Sequence, residues 1–290
     1  MTAPAPAPLP APAPLPTPGP AAVPYSYVSP IPVRRAHLGD ALASEWTKIR
    51  SVRSTMWTLG VMVLLMLVIG LGVAAVVSSA DVPADQESAL ALGFFGVLLG
   101  SICVITLGVL TIASEYGTGM IRTTLTACPT RGRVLTAKAI VFFLLVFTIT
   151  TVTATVVGVA QVAMVPEAAE PTSGEWLRAT VGVGLFLALL GLLSLAIGAI
   201  IRHSAGAITI MIGVLLLPLV AAMFMFSESL AKLQQWLLDY AVPSQLIALY
   251  AGKSAIGQSG PSGWDPVWIM AIIAAAVMGG AYALLNSRDV

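Results

Sequence analysis

The stretch SEYGTGMIRTTLTACPTRGRVLTAK, residues 114–138, is a polar and basic island in an apolar chain. On either side lie residues 88–114 and 139–166, which contain no Asp, Glu, Lys or Arg. Four further gaps of this kind follow the same rule: 54–80, 179–201, 204–227 and 266–287. Roughly 20 helical residues cross a ~30 Å hydrocarbon core, so each gap is long enough to span a bilayer. Strands of a membrane barrel would be half as long and would alternate. The reading is therefore all-α, with six transmembrane helices at about 56–79, 89–113, 139–165, 179–201, 205–226 and 266–286.

Composition agrees. The 290 residues are 58% hydrophobic and 9% charged, with a mean hydropathy of +0.94. Soluble domains carry about a quarter charged residues, so this chain lacks the polar surface to live in water. The net charge of +1 offers nothing to nucleic acid. Cys103 falls inside the second span and Cys128 in the polar island, which does not suit a disulfide. His37 and His203 stand alone, so no metal site is expected.

Orientation follows from the basic residues. Six spans place both termini on one side, together with the second-to-third and fourth-to-fifth loops. That side collects 11 of the 14 Lys and Arg residues, and only Arg178, Lys232 and Lys253 fall opposite. The positive-inside rule makes the 11-residue side cytoplasmic. The first 32 residues hold 12 of the 20 prolines and read as a disordered cytoplasmic tail over 1–33, not a signal peptide. Residues 34–55 and the start of the first span then carry Leu42, Trp46, Ile49, Val52 and Met56 on one helical face, interrupted by Glu45 and Arg53. Trp46, Lys48, Arg50, Arg53 and Trp57 suit an interfacial anchor, with long basic side chains reaching phosphates. The alternative is an ordinary positive flank that sets topology. Residues 56–290 form the six-span domain.

Within the island, Gly117, Gly119 and Gly132 allow sharp turns, and Pro129 cannot continue a helix. Between them MIRTTLTAC makes a short helix bearing Met120, Ile121, Arg122 and Leu125. Glu115 is expected to pin the loop through Arg122 or Arg131. The segment is either a solvated connector or a docking surface for a partner that covers its apolar side chains.

Here the sequence resembles a known family. Glu115-Tyr116, Gly119, Ile121-Arg122, Leu125, Pro129, Arg131 and Lys138, preceded by SEWTKIRSVRSTMW at 44–57, look like the ABC-2-type transporter permeases, particularly actinobacterial ones. The likeness runs from Ala41 to the end of the chain; Gly117 and Met120 depart from the family's usual residues. It implies that the island holds a coupling helix inserted into a groove of a separate cytosolic ATPase. Glu115, Gly119, Ile121, Arg122, Leu125, Pro129, Arg131 and Arg133 would then form the docking loop. It further implies a permease homodimer or heterodimer in a bacterial cytoplasmic membrane, with ATP and Mg on the ATPase and no cofactor on this chain. It also implies export, with short helices between spans five and six dipping into the outer leaflet.

Independent chemistry points to an external energy source. Transporters driven by ions usually carry Asp, Glu, His or Arg inside their spans, and the six gaps have none. The segment IALYAGKS imitates the end of a P-loop at Gly252-Lys253-Ser254, but Ile247 stands where the first glycine must be. Between spans five and six, Leu230, Leu233, Leu237 and Tyr240 make an apolar face before Pro243. This region reads as re-entrant or resting on the surface.

Thr148, Thr151 and Thr155 share a face of the third span and either line a substrate path or bond to their own helix carbonyls. Gly184, Gly191 and Gly198 mark a close-packing face on the fourth span. The functional expectation is a permease that exports a hydrophobic or amphiphilic substrate and catalyses nothing itself. The alternative is a non-transporting scaffold or sensor.

Overall fold

The computed structural model describes residues 37–80, 88–127, 130–252 and 260–287. The expected proline-rich tail over 1–33, Cys128, Pro129 and Lys253 lie outside the described residues. So do the side chain of Leu125 and the acidic loop at 81–87.

Eleven α-helices follow one another among the described residues: α1 Leu38–Ser51, α2 Arg53–Ser79, α3 Phe94–Gly117, α4 Met120–Ala127, α5 Arg131–Met164, α6 Ser173–Leu177, α7 Val183–Ile201, α8 Ser204–Met223, α9 Ala231–Tyr240, α10 Val242–Ala251 and α11 Asp265–Ser287. A 3₁₀ turn at Ala89–Gly93 precedes α3, and a π turn at Arg178–Gly182 joins α6 to α7. Six of the resulting rods are long and apolar enough to cross a bilayer: Arg53–Ser79, Ala89–Gly117, Arg131–Met164, Ser173–Ile201, Ser204–Met223 and Asp265–Leu285. The protein is an all-α, six-span membrane protein.

Helix ends differ from the sequence reading where polar residues extend a helix beyond the hydrocarbon. The second span continues to Gly117 and the third begins at Arg131. At 1.5 Å per residue the 34-residue α5 is about 51 Å long, well over the ~30 Å core. Its basic first two turns therefore lie beyond the core. The expected short helix is present as α4, Met120–Ala127, with only 118–119 and 128–130 separating it from α3 and α5.

Lipid tails give helices no hydrophobic reason to associate, so small residues that let backbones approach must do it. The α7 helix is the centre of the bundle, packed against α3, α5, α8 and α11. Its apolar stretch is 67% buried, against 22% in α2, α8 and α11. The expected glycine face is where this happens. A Cβ on Gly191 would sit 2.5 Å from the Phe142 ring, and one on Gly108 of α3 would sit 2.5 Å from the Gly191 carbonyl oxygen. Gly198 is crowded by Ile112 and the Val109 backbone, and Gly184 by Thr151.

At the opposite end from α1 and α4, the two short helices behave differently from each other. Pro243 opens α10, whose residues Val242–Leu246 are buried among the ends of the spans, whereas α9 exposes Leu233, Trp236 and Tyr240, next to the exposed Leu230. The Gln234 side chain donates to the Ala222 carbonyl at 3.0 Å, satisfying the end of α8.

Candidate functional site at the α1 and α4 end

Each element here is placed by a local rule. The His37 amide donates to the Asp40 carboxylate at 2.9 Å, opening α1. Lys48 and Arg50 in the last turn of α1 suit its negative end. A single extended residue, Val52 (φ −83°, ψ 110°), turns the chain from α1 into α2. At the end of α3, Gly119 takes φ +72°, a left-handed conformation that favours glycine. It reverses the chain so that α4 starts at once. The Thr123, Thr124 and Thr126 hydroxyls donate to α4's own carbonyls at 2.8–3.1 Å.

What sets the site apart is a closed ring of ion pairs. Lys138 Nζ donates to Glu45 Oε2 at 2.6 Å and to Glu115 Oε1 at 2.9 Å. Lys48 Nζ donates to Glu45 Oε1 at 2.7 Å and to Glu115 Oε1 at 3.1 Å, and reaches Thr124 Oγ1 at 3.3 Å. The ring thus draws two residues from α1, one from α3, one from α5 and a hydroxyl from α4. Glu45, Glu115 and Lys138 are buried and Lys48 is half-buried. Removing an ion from water costs several kcal/mol, and here each carboxylate meets both ammonium groups in return. Burial alone would raise the Glu45 carboxyl, but Lys138 and then Lys48 outweigh it and hold it below its ordinary 4.5. Burial would likewise lower Lys48, while Glu45 and Glu115 keep it above its ordinary 10.5.

Two expectations are corrected by this ring. Glu115 pairs with Lys48 and Lys138, not with Arg122 or Arg131, because it still lies on α3 and faces α1 and α5. Lys48 is drawn into the ring and does not point out towards lipid phosphates. Glu45, read as a flaw in an apolar stripe, is instead one of only two buried residues on α1; the other is Ile49. Its position among apolar residues was the available signal, since a charge on a buried face needs a partner.

The remaining residues are dispersed. Ile121 is buried, while Met120 and Arg122 are exposed on α4. Arg131 donates to the Leu285 carbonyl at 3.1 Å, tying α5 to the end of α11. Arg133 lies in the first turn of α5, half-buried. Trp46 and Trp57 are exposed, as are Arg50 and Arg53. Thr148 and Thr155 lie on the outer surface of the bundle, and the Thr155 hydroxyl donates to the Thr151 carbonyl at 2.8 Å. Thr151 faces Gly184 of α7. His203 caps α8, accepting from the Gly206 amide at 3.1 Å. Arg202, in a left-handed conformation at φ 58°, ends α7 and sits 5.0 Å over the Tyr116 ring. No group of three or more His, Cys, Asp or Glu that could hold a metal occurs among the described residues.

A polytopic helical bundle with a short helix between its second and third spans, braced by buried charge, has the form of a membrane transport component. Residues 41–217, more than half of the chain, match the family model described as ABC-2 family transporter protein, and the chain belongs to that family. It is accordingly a multi-pass membrane permease. No curated protein matches the chain.

Proposed function

We propose that this chain is the membrane subunit of an ATP-driven exporter in a bacterial cytoplasmic membrane, with the α1 and α4 end facing the cytoplasm. A separate ABC ATPase binds ATP and Mg and grips α4; two permease copies, most simply identical, enclose the path. The cargo is hydrophobic or amphiphilic, in keeping with apolar walls and scattered hydroxyls. The observation that carries this reading is α4 itself. Met120 and Arg122 stand exposed on a helix that Ile121 and Thr124 fasten to the rest of the bundle. The strong excess of Lys and Arg on this side supports the orientation.

Arg122 is the cleanest probe, because Arg131 is engaged by the Leu285 carbonyl and Glu115 by the ring. The pair Met120→Asp with Arg122→Glu should abolish co-purification of the ATPase in mild detergent while thermal stability stays unchanged. Co-purification undiminished in that variant would reject docking at α4.

A further inference from the structure

We propose that Glu45, Lys48, Glu115 and Lys138 form a positioning joint that makes α1, α4 and the adjoining ends of α3 and α5 one rigid body. The idea that α4 is the driven element rests on the reading above; the joint itself does not.

Three observations lead here. First, little of α1 is buried. Of its 14 residues only Glu45 and Ile49 are buried, and clefts open on both flanks. One, of about 380 Å³, lies between α1 and α4 and is bordered by Ser44, Met120 and Thr123. The other, of about 310 Å³, lies between α1, α2 and α3 and is bordered by Val52, Thr55 and Thr111. Second, stability does not explain the charges. Replacing a buried ion group with apolar residues of similar size is commonly neutral or stabilising, and this chain is otherwise sparing with charge. Third, the pairing is directional. Each ammonium bridges both carboxylates at 2.6–3.1 Å. Two acids and two bases leave no net charge, and their fixed contacts define one register of α1 against α3 and α5, as buried polar groups do in coiled coils. Apolar side chains of the same bulk would permit several.

The consequence is mechanical. Lys48 reaches Thr124 of α4 as well as Glu115 of α3, so a displacement of α4 is carried to α1 rather than absorbed in the clefts. The short connections at Thr118–Gly119 and Val52 leave little slack. In this account α1 is not a passive anchor; it follows α4.

The joint is tested without any ATPase, so its failure is distinguishable from failure of the docking reading. The full chain in nanodiscs, with Cys103→Ala and Cys128→Ser, carries spin labels at Ala43→Cys on α1 and Thr126→Cys on α4, both exposed positions. Electron spin resonance should give one narrow inter-label distance. With Glu45, Lys48, Glu115 and Lys138 all changed to Met, the melting temperature should hold and the narrow peak should be lost. A peak as narrow as before would overturn the proposal. Should that variant fail to fold, polarity decides. Reversing all four charges (Glu45→Lys, Lys48→Glu, Glu115→Lys, Lys138→Glu) should keep the narrow peak. Reversing only Glu45→Lys and Lys48→Glu, which sets like charges across both contacts, should lose it. Equal widths in the two reversals would also overturn the joint.

Discussion

In α7, 13 of 19 residues are buried against four neighbouring helices, and glycines let the backbones touch. In α1, 2 of 14 are buried, and one of those two is a glutamate. The α7 helix is held by dispersion over many close contacts, which is non-directional but intolerant of any change in volume. The buried part of α1's attachment consists of one isoleucine and the charges of the ring, and it tolerates open space beside it. The difference teaches where this molecule can move. A glycine-packed centre resists deformation, whereas a helix flanked by clefts can swing, provided that its few contacts travel with it.

The largest loss of stability is expected at Lys138. Lys138→Met leaves two buried carboxylates sharing one half-exposed ammonium, and removing one partner of a buried pair costs about 3–5 kcal/mol. A large fall in melting temperature in detergent is expected; retention within a degree or two would show that the ring carries little. In α7 the corresponding break is steric. Gly191→Ala forces a methyl into the Phe142 ring, and overpacking of this kind costs about 1–3 kcal/mol. The same thermal measurement checks it, and Gly213→Ala on α8, which meets open space, should be silent.

Smaller effects sharpen the contrast. Gly119→Ala keeps its surroundings free of clashes but places an L side chain at φ +72°, a cost of about 1–2 kcal/mol. It should loosen α4 alone, visible as faster amide hydrogen exchange over 120–127 with α7 unaffected. Acidity gives the mildest change. Glu45 is held below 4.5 in the folded chain, so its contribution is present above that value and fades as pH falls through the lower folded value. Lys48 is held above 10.5, so its contribution is present below that value and fades as pH climbs beyond it. The protection of α1 amides, taken relative to their intrinsic pH-dependent exchange rates, should therefore be flat between these limits and fall outside them. A step near neutrality would contradict the assignment.

Much of this was legible in the sequence, and the legible part has one physical cause. Six long gaps without charge are a compositional signal that needs no knowledge of contacts, so the spans were clear and only their ends shifted. Gly119 likewise announced its turn, and the α7 glycines their packing face. The ring was not legible, because its contacts between helices join residues separated by 23 to 93 positions. Opposite charges close in sequence, such as Glu115 and Arg122, made the nearer pairing look natural. Which side of a helix a charge faces depends on where neighbouring helices stand. That information became available only with the bundle, and it turned Glu45 from an interruption into an attachment point.

The most direct measurement compares the two ends of the molecule for contact with an ATPase. A photo-crosslinking residue is placed at Met120 on α4 or at Trp236 on α9, both exposed, and the adducts formed in intact cells are identified by mass spectrometry. An ABC ATPase captured from Met120 and not from Trp236 is the predicted result. An ATPase captured from Trp236, or none from Met120, would contradict the account.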